Sequence, residues 1–341
     1  MKRFTGDVVK RFLSSPTRPV ETVARPVTTD VHQHLWPVGL LEGLRRRTAP
    51  PRLVGWELHL DGEPTTWIDP AAHDLARREA VDRADAVDLT LLSLSAPLGI
   101  ESMPPEESTP LLAAWHALAD DLEAAAAAAG APSHHGLWAS PRLVEPDLVE
   151  LAELLAHPRV AGLQVPASAM ATPGALEALA PVLRTAEVAD LPVLVHPGPA
   201  APVGHGAGGL DGRPLPGWWP ALTSYVGQQG AAWHAWHVAG RALLPELRIA
   251  FVGLAGLAPL HHERLAQRGG ALGAVDPGVH YETSSYGPRA IDAMARVVGV
   301  DPLVLGSDRP YATATDPGLG EAFGRALRAT NPHHLLNGGP R

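Results

Sequence analysis

Short apolar β-type runs alternate with helical patterns along nearly the whole chain, and this alternation limits the fold more than any other feature. The β-type runs are Val27–His32, Val87–Leu94, Gly136–Ala139, Val160–Val165, Pro192–Val195, Arg248–Val252, Val279–Thr283 and Leu303–Leu305. Helical patterns follow over Ala71–Ala84, Pro110–Ala129, Asp147–Ala156, Gly174–Ala189, Ala221–Leu244, Pro259–Arg268, Pro288–Val298 and Pro317–Ala329. The β runs lack polar alternation, as strands buried on both faces do. Strict β–α alternation implies a parallel sheet, and eight units imply a closed α/β architecture, a TIM-type (β/α)8 barrel. A doubly wound open sheet is the competing arrangement, but no Gly-rich phosphate fingerprint opens the first helix.

One segment departs from the alternation. Between about residues 37 and 70 the chain holds one short helix containing Arg45, Arg46 and Arg47, then β-like stretches Gly55–Leu60 and Thr65–Ile68 around the turn pair Asp61-Gly62. Asp-Gly between β stretches signals a hairpin. The segment reads as a small hairpin-containing insertion after strand one, within a barrel spanning 27–341; residues 1–26 read as an N-terminal arm.

Composition narrows the chemistry. The net charge of −9, with no long Lys/Arg run, argues against nucleic acid as a partner. The sequence contains no cysteine, so disulfides are excluded and any metal must be held by nitrogen and oxygen. No apolar run approaches membrane-spanning length and the N-terminus lacks an apolar signal core. The expectation is a cytoplasmic protein acting on a small-molecule substrate, with no nucleic acid and no membrane partner.

Catalytic groups of such barrels lie at the C-terminal ends of the strands. The first strand ends Asp30-Val31-His32-Gln33-His34, where residues two apart share one face. The fifth ends Val195-His196-Pro197 and the eighth Gly306-Ser307-Asp308. His32, His34, His196 and Asp308 therefore form a candidate site for one divalent metal, with Zn²⁺ the first choice and Mn²⁺ or another first-row ion the alternative. Asp308 is also the candidate catalytic residue. Asp30, one step deeper on the same strand face, is expected to orient the groups above it rather than to bind metal.

These segments resemble the amidohydrolase superfamily, in the branch that includes aminocarboxymuconate semialdehyde decarboxylase. The matching stretches are Thr29–His34, Leu194–Gly198, Leu305–Pro310 and the region around Leu254-Ala255-Gly256. The resemblance runs from about Val27 to Ala329. It implies a bound divalent metal and a metal-activated water, and related barrels suggest a homodimer. Two departures stand out. Members with two metals carry a carboxylated lysine at the end of strand four, where this chain reads Gly162-Leu163-Gln164-Val165-Pro166. One metal is therefore expected. The branch also places a histidine at the end of strand six, where this chain has Gly253. His261 and His262 are the candidates to replace it, with exposed helix positions as the competing reading. Glu101 follows strand two in a place suited to the pocket, against a solvated loop position. Trp36, Trp218 and Trp219 are candidates to line an apolar pocket. His234 and His237 read as helix-packing residues.

Metal-dependent hydrolysis of a carbonyl substrate is the first functional expectation. Non-oxidative decarboxylation of a small carboxylic acid is the second. A non-catalytic barrel that has lost its strand-six histidine is the third.

Overall fold

The computed structural model describes residues 26–130, 133–200, 213 and 215–339. The N-terminal arm, apart from Pro26, lies outside the described residues, as does His205.

Eight parallel strands form one sheet: β1 (Thr29–His34), β5 (Leu89–Ser93), β6 (His135–Ala139), β7 (Val160–Pro166), β8 (Val193–His196), β9 (Ile249–Phe251), β10 (Val279–Glu282) and β11 (Leu303–Val304), neighbours in that order. The ring closes between its two ends, where Val31 N donates to Leu305 O at 2.9 Å and Asp308 N to His32 O at 2.9 Å. The protein is a (β/α)8 barrel. Every residue of β1, β5, β6, β7 and β8 is buried, which is why these runs show apolar continuity instead of alternation.

The surrounding helices carry local start signals. In α5 (Pro173–Val188) the Thr172 side chain accepts from Ala175 N at 3.1 Å and proline occupies the first turn; both features favour a helix start. The α8 helix (Pro288–Val298) also begins with proline and buries Ile291, Met294 and Val298. That spacing presents one apolar stripe to the sheet. Inside the barrel wall, Trp138 on β6 is fully buried and donates from Nε1 to Val31 O at 2.9 Å. This bond ties the third barrel strand to the strand that carries two of the site histidines.

The stretch between β1 and β5 holds α1 (Val38–Arg46) and a separate antiparallel sheet in the order β2 (Arg52–Val54), β3 (Glu57–His59), β4 (Thr66–Trp67). The hairpin is present where Asp61-Gly62 suggested it. The strand at Arg52–Val54 lies outside the two β-like stretches expected from the sequence.

Candidate metal centre

His32, His34, His196 and Asp308 meet at the C-terminal mouth of the barrel, each offering one donor atom, and those atoms lie within 4.8 Å of one another. His32 and His34 lie side by side on β1, with ring centroids 4.8 Å apart, and His196 at the end of β8 stands 4.9 and 5.0 Å from them. Asp308 sits just beyond β11 with φ +57°. Aspartate tolerates this left-handed conformation better than most side chains. Its turn is held by Asp308 N to His32 O and by Tyr311 N to Asp308 O at 2.8 Å.

The protein assigns the tautomers. His34 Nδ1 donates to Ser93 O at 2.9 Å and His196 Nδ1 to Pro197 O at 2.9 Å, because a carbonyl can only accept. Their Nε2 lone pairs are left for the centre. Burial holds both imidazoles below the ordinary histidine range, reinforced by the neighbouring histidines, so they are neutral near pH 7. His32 Nδ1 stands 3.4 Å from Glu282 Oε2. Burial opposes a charge on His32, but Glu282, Asp308 and Asp30 outweigh it and raise its pKa. Asp308 shows the opposite balance: burial favours its neutral form, yet His34, His32 and His196 hold it below the usual carboxylate range.

The donor set fits a cation. His32 Nε2 and His34 Nε2 face each other at 3.1 Å, and Asp308 Oδ1 lies 3.2 Å from His34 Nε2. Two imidazole lone pairs at that separation, beside a carboxylate, repel unless a positive charge lies among them. Three nitrogens and one oxygen match the ligand preference of zinc and related first-row ions.

Glu282, which sequence reasoning missed, supports the centre from the end of β10. It is fully buried. Its Oε1 accepts from Ser284 N at 2.5 Å, and its Oε2 from Ser284 Oγ at 2.7 Å and Gly253 N at 3.1 Å. A carboxylate behind a ligand histidine fixes the ring and raises its basicity. Position at a strand end was the available signal, but only the closed barrel shows that the carboxylate faces His32. Gly306 makes room for it, since a methyl group there would overlap the Glu282 carboxylate. Gly306→Ala is accordingly expected to lower metal affinity by about 10–100-fold, read by competition with a chelator; unchanged affinity would contradict this role for Glu282. Asp30 contacts the frame: Oδ1 accepts from His32 N and Ser307 N at 3.1 Å each, and Oδ2 from Gln33 Nε2 at 2.8 Å.

The centre opens into a cavity of about 470 Å³. Trp36 lines it, as expected, with Nε1 donating to Ser95 Oγ at 2.9 Å. The insertion forms part of the wall through Leu58, Leu60, Glu63 and Ile68. Gly253 lies on the wall just past β9, at the start of a turn in which φ stays positive from Gly253 through Leu257. Successive left-handed residues other than glycine are strained, and strain of this kind concentrates at functional sites.

Other candidates fall elsewhere. His261 is exposed, and neither it nor His262 lines the cavity, so they do not replace the strand-six imidazole. Trp218 and Trp219 are exposed, with rings tilted against each other 5.8 Å apart, and neither lines the cavity. Glu101 is neither a pocket residue nor a solvated one; it is fully buried in a short turn over Ile100–Ser102. His237 stacks on Trp233 and His234 bonds to Gly230 O, both within helix packing.

No family model and no curated protein matches the sequence. Solved structures do match. The IDCase of Metarhizium anisopliae is 17% identical with a TM-score of 0.74, over 92% of this chain and 97% of that one. A structure described as amidohydrolase II is 18% identical with a TM-score of 0.67, over 91% and 99%. The 5-carboxyvanillate decarboxylase of Novosphingobium aromaticivorans, complexed with manganese and 4-hydroxy-3-methoxy-5-nitrobenzoic acid, is 14% identical with a TM-score of 0.62, over 92% and 96%. Further matches include decarboxylases of 5-carboxyvanillate and of 2,6-dihydroxybenzoate. The chain shares the (β/α)8-barrel fold of these structures.

Proposed function

We propose that this protein is a metal-dependent enzyme of the amidohydrolase superfamily, and that its reaction is the non-oxidative decarboxylation of a carboxylic acid. The observation that carries the reading is the donor set of His32, His34, His196 and Asp308 at the inner end of an apolar-walled cavity. A divalent first-row ion, Zn²⁺ or Mn²⁺, would supply a Lewis acid that binds and polarises substrate oxygen. The three imidazoles would hold that ion, His34 and His196 through the Nε2 atoms left free by their Nδ1 contacts. Glu282 keeps His32 oriented, and the Ser93 and Pro197 carbonyls do the same for His34 and His196.

Asp308 is the residue placed to move a proton. Its Oδ2 lies 3.4 Å from Ser285 Oγ, and both residues line the cavity. A carboxylate held low in pKa is ionised at rest, so Asp308 would take up a proton from solvent and pass it to the carbon that loses CO2, returning to its ionised form. The wall, with Trp36, Leu58, Leu60, Ile68 and Leu98, limits water around the reacting group. One feature favours decarboxylation over hydrolysis: the fold neighbours include several decarboxylases.

Elemental analysis of the purified protein, followed by assay of the zinc- and manganese-loaded forms, tests the reading. The panel begins with aromatic carboxylic acids, which the decarboxylase neighbours suggest, and includes esters and lactones. The expected result is about one metal per chain and one CO2 released per acid consumed. Turnover of esters or lactones with no CO2 from any acid would establish the hydrolase instead.

A further inference from the structure

We infer that Glu63 is a specificity-determining residue of this site, and that it pairs with a cationic amine on the substrate, which is then a carboxylic acid that also carries an ammonium group. The inference rests on the metal-site reading above and extends it to the charge of the substrate. Glu63 belongs to the insertion, between β3 and β4. It is only partly buried and borders the cavity directly. Its Oε1 accepts the Tyr225 hydroxyl at 2.5 Å. Tyr225 ends the helical stretch Ala221–Tyr225 and borders the same cavity. A phenol brings one hydrogen to share and no charge, so this bond orients the carboxylate without neutralising it.

No cation neutralises it either. No lysine or arginine is among the described lining residues. Burial raises the Glu63 pKa, and among the described residues it is opposed only by hydrogen bonds from Tyr225 and the Ala200 backbone. Tyr225 links this carboxylate to the metal end of the cavity. Burial raises the pKa of its hydroxyl first, then Glu63, and Asp308 adds to both. The two acids of the described lining therefore act on one space.

That space has a charge to be met. A divalent ion at the donor set would offset Asp308 and Glu63 together. A bound carboxylate then adds negative charge with nothing to balance it, inside an apolar wall where an unpaired charge is costly. An ammonium group on the same molecule supplies the balance. The wall admits it, since Trp36, Tyr225, Tyr286 and Tyr311 line the cavity and aromatic faces attract cations. A second carboxylate would meet Glu63 as a like charge. A neutral hydroxyl would leave the excess charge in place.

Binding of simple probes to the manganese-loaded protein, measured by titration calorimetry near neutral pH, tests this without turnover. The probes are 3- and 4-(aminomethyl)benzoate, their neutral counterparts 3- and 4-(hydroxymethyl)benzoate, and the dianions isophthalate and terephthalate. At least one ammonium probe should bind about tenfold more tightly than its hydroxymethyl counterpart, the scale of a hydrogen bond to a charged group. The dicarboxylates should bind most weakly. Glu63→Gln keeps the shape and removes the charge, and with its manganese content verified it should erase the preference for the ammonium probe. The comparison of probes on the unmutated protein stands even if the variant does not fold. Ammonium probes that bind no better than the hydroxymethyl probes, dicarboxylates that bind as well as the ammonium probes, or a preference that survives in Glu63→Gln overturns the inference alone. A protein that takes up no manganese overturns the metal-site reading, and the inference with it.

Discussion

Asp308→Asn is expected to reduce turnover by at least about 10²-fold, the scale of a lost general acid–base group. Asparagine matches aspartate in size and, like it, tolerates a positive φ, so the turn after β11 should survive the exchange. What disappears is the charge and the ability to carry a proton. Asp308 is the single carboxylate among the four clustered donors. It is held ionised against the effect of burial by His34, His32 and His196. The variant should also bind metal more weakly, so kcat is to be compared at full metal occupancy, verified by elemental analysis. Activity within tenfold of the parent protein under that condition would remove Asp308 from the chemistry and leave it a ligand at most.

The second large effect concerns stability. Glu101 is fully buried, and neither carboxylate oxygen has a hydrogen-bond partner of normal geometry. Burial pushes its pKa up from 4.5 to about 7, against a smaller opposing contribution from its own backbone and from Gln164. The native state therefore prefers the protonated acid. Below about pH 4.5 both folded and unfolded chains are protonated and the residue carries no penalty. As pH rises from 4.5 toward 7 the unfolded chain ionises first, and folding stability falls. At 1.36 kcal/mol per pKa unit the loss is on the order of 3 kcal/mol by pH 8. Glu101→Gln keeps the shape without the acid. It should be close to neutral at pH 4.5 and stabilising by that amount at pH 8, read as the difference in urea midpoints between the two proteins at each pH. A difference that does not change between the two pH values would mean that Glu101 is solvated or paired in the folded protein.

Local patterns carry the elements of this fold. Residues spaced by two share a strand face, and those spaced by three and four share a helix face. This is why the β–α alternation and the pairing of His32 with His34 were legible in the chain itself. The barrel then adds a rule of position, because strand ends converge at one mouth. That rule selected His196 and Asp308 from a sequence with 17 histidines and 36 acidic residues. The same rule had no means of separating Glu282 from other acids, or of showing that Glu101 turns inward.

Those residues depend on contacts between distant segments. Glu282 meets Gly253 N across 29 residues, Glu63 meets the Tyr225 hydroxyl across 162, and Asp30 meets Ser307 N across 277. Periodicity says nothing about such pairs, because the ring must close before the groups meet. The sequence by itself thus determined the parallel barrel and the four donors at its mouth, since both follow from short-range spacing and strand order. Only the tertiary structure decided which carboxylate stands behind His32, that the insertion walls the cavity, and that Glu63 of that insertion meets Tyr225 there. Each of these is a matter of packing between segments whose separation along the chain leaves no local trace.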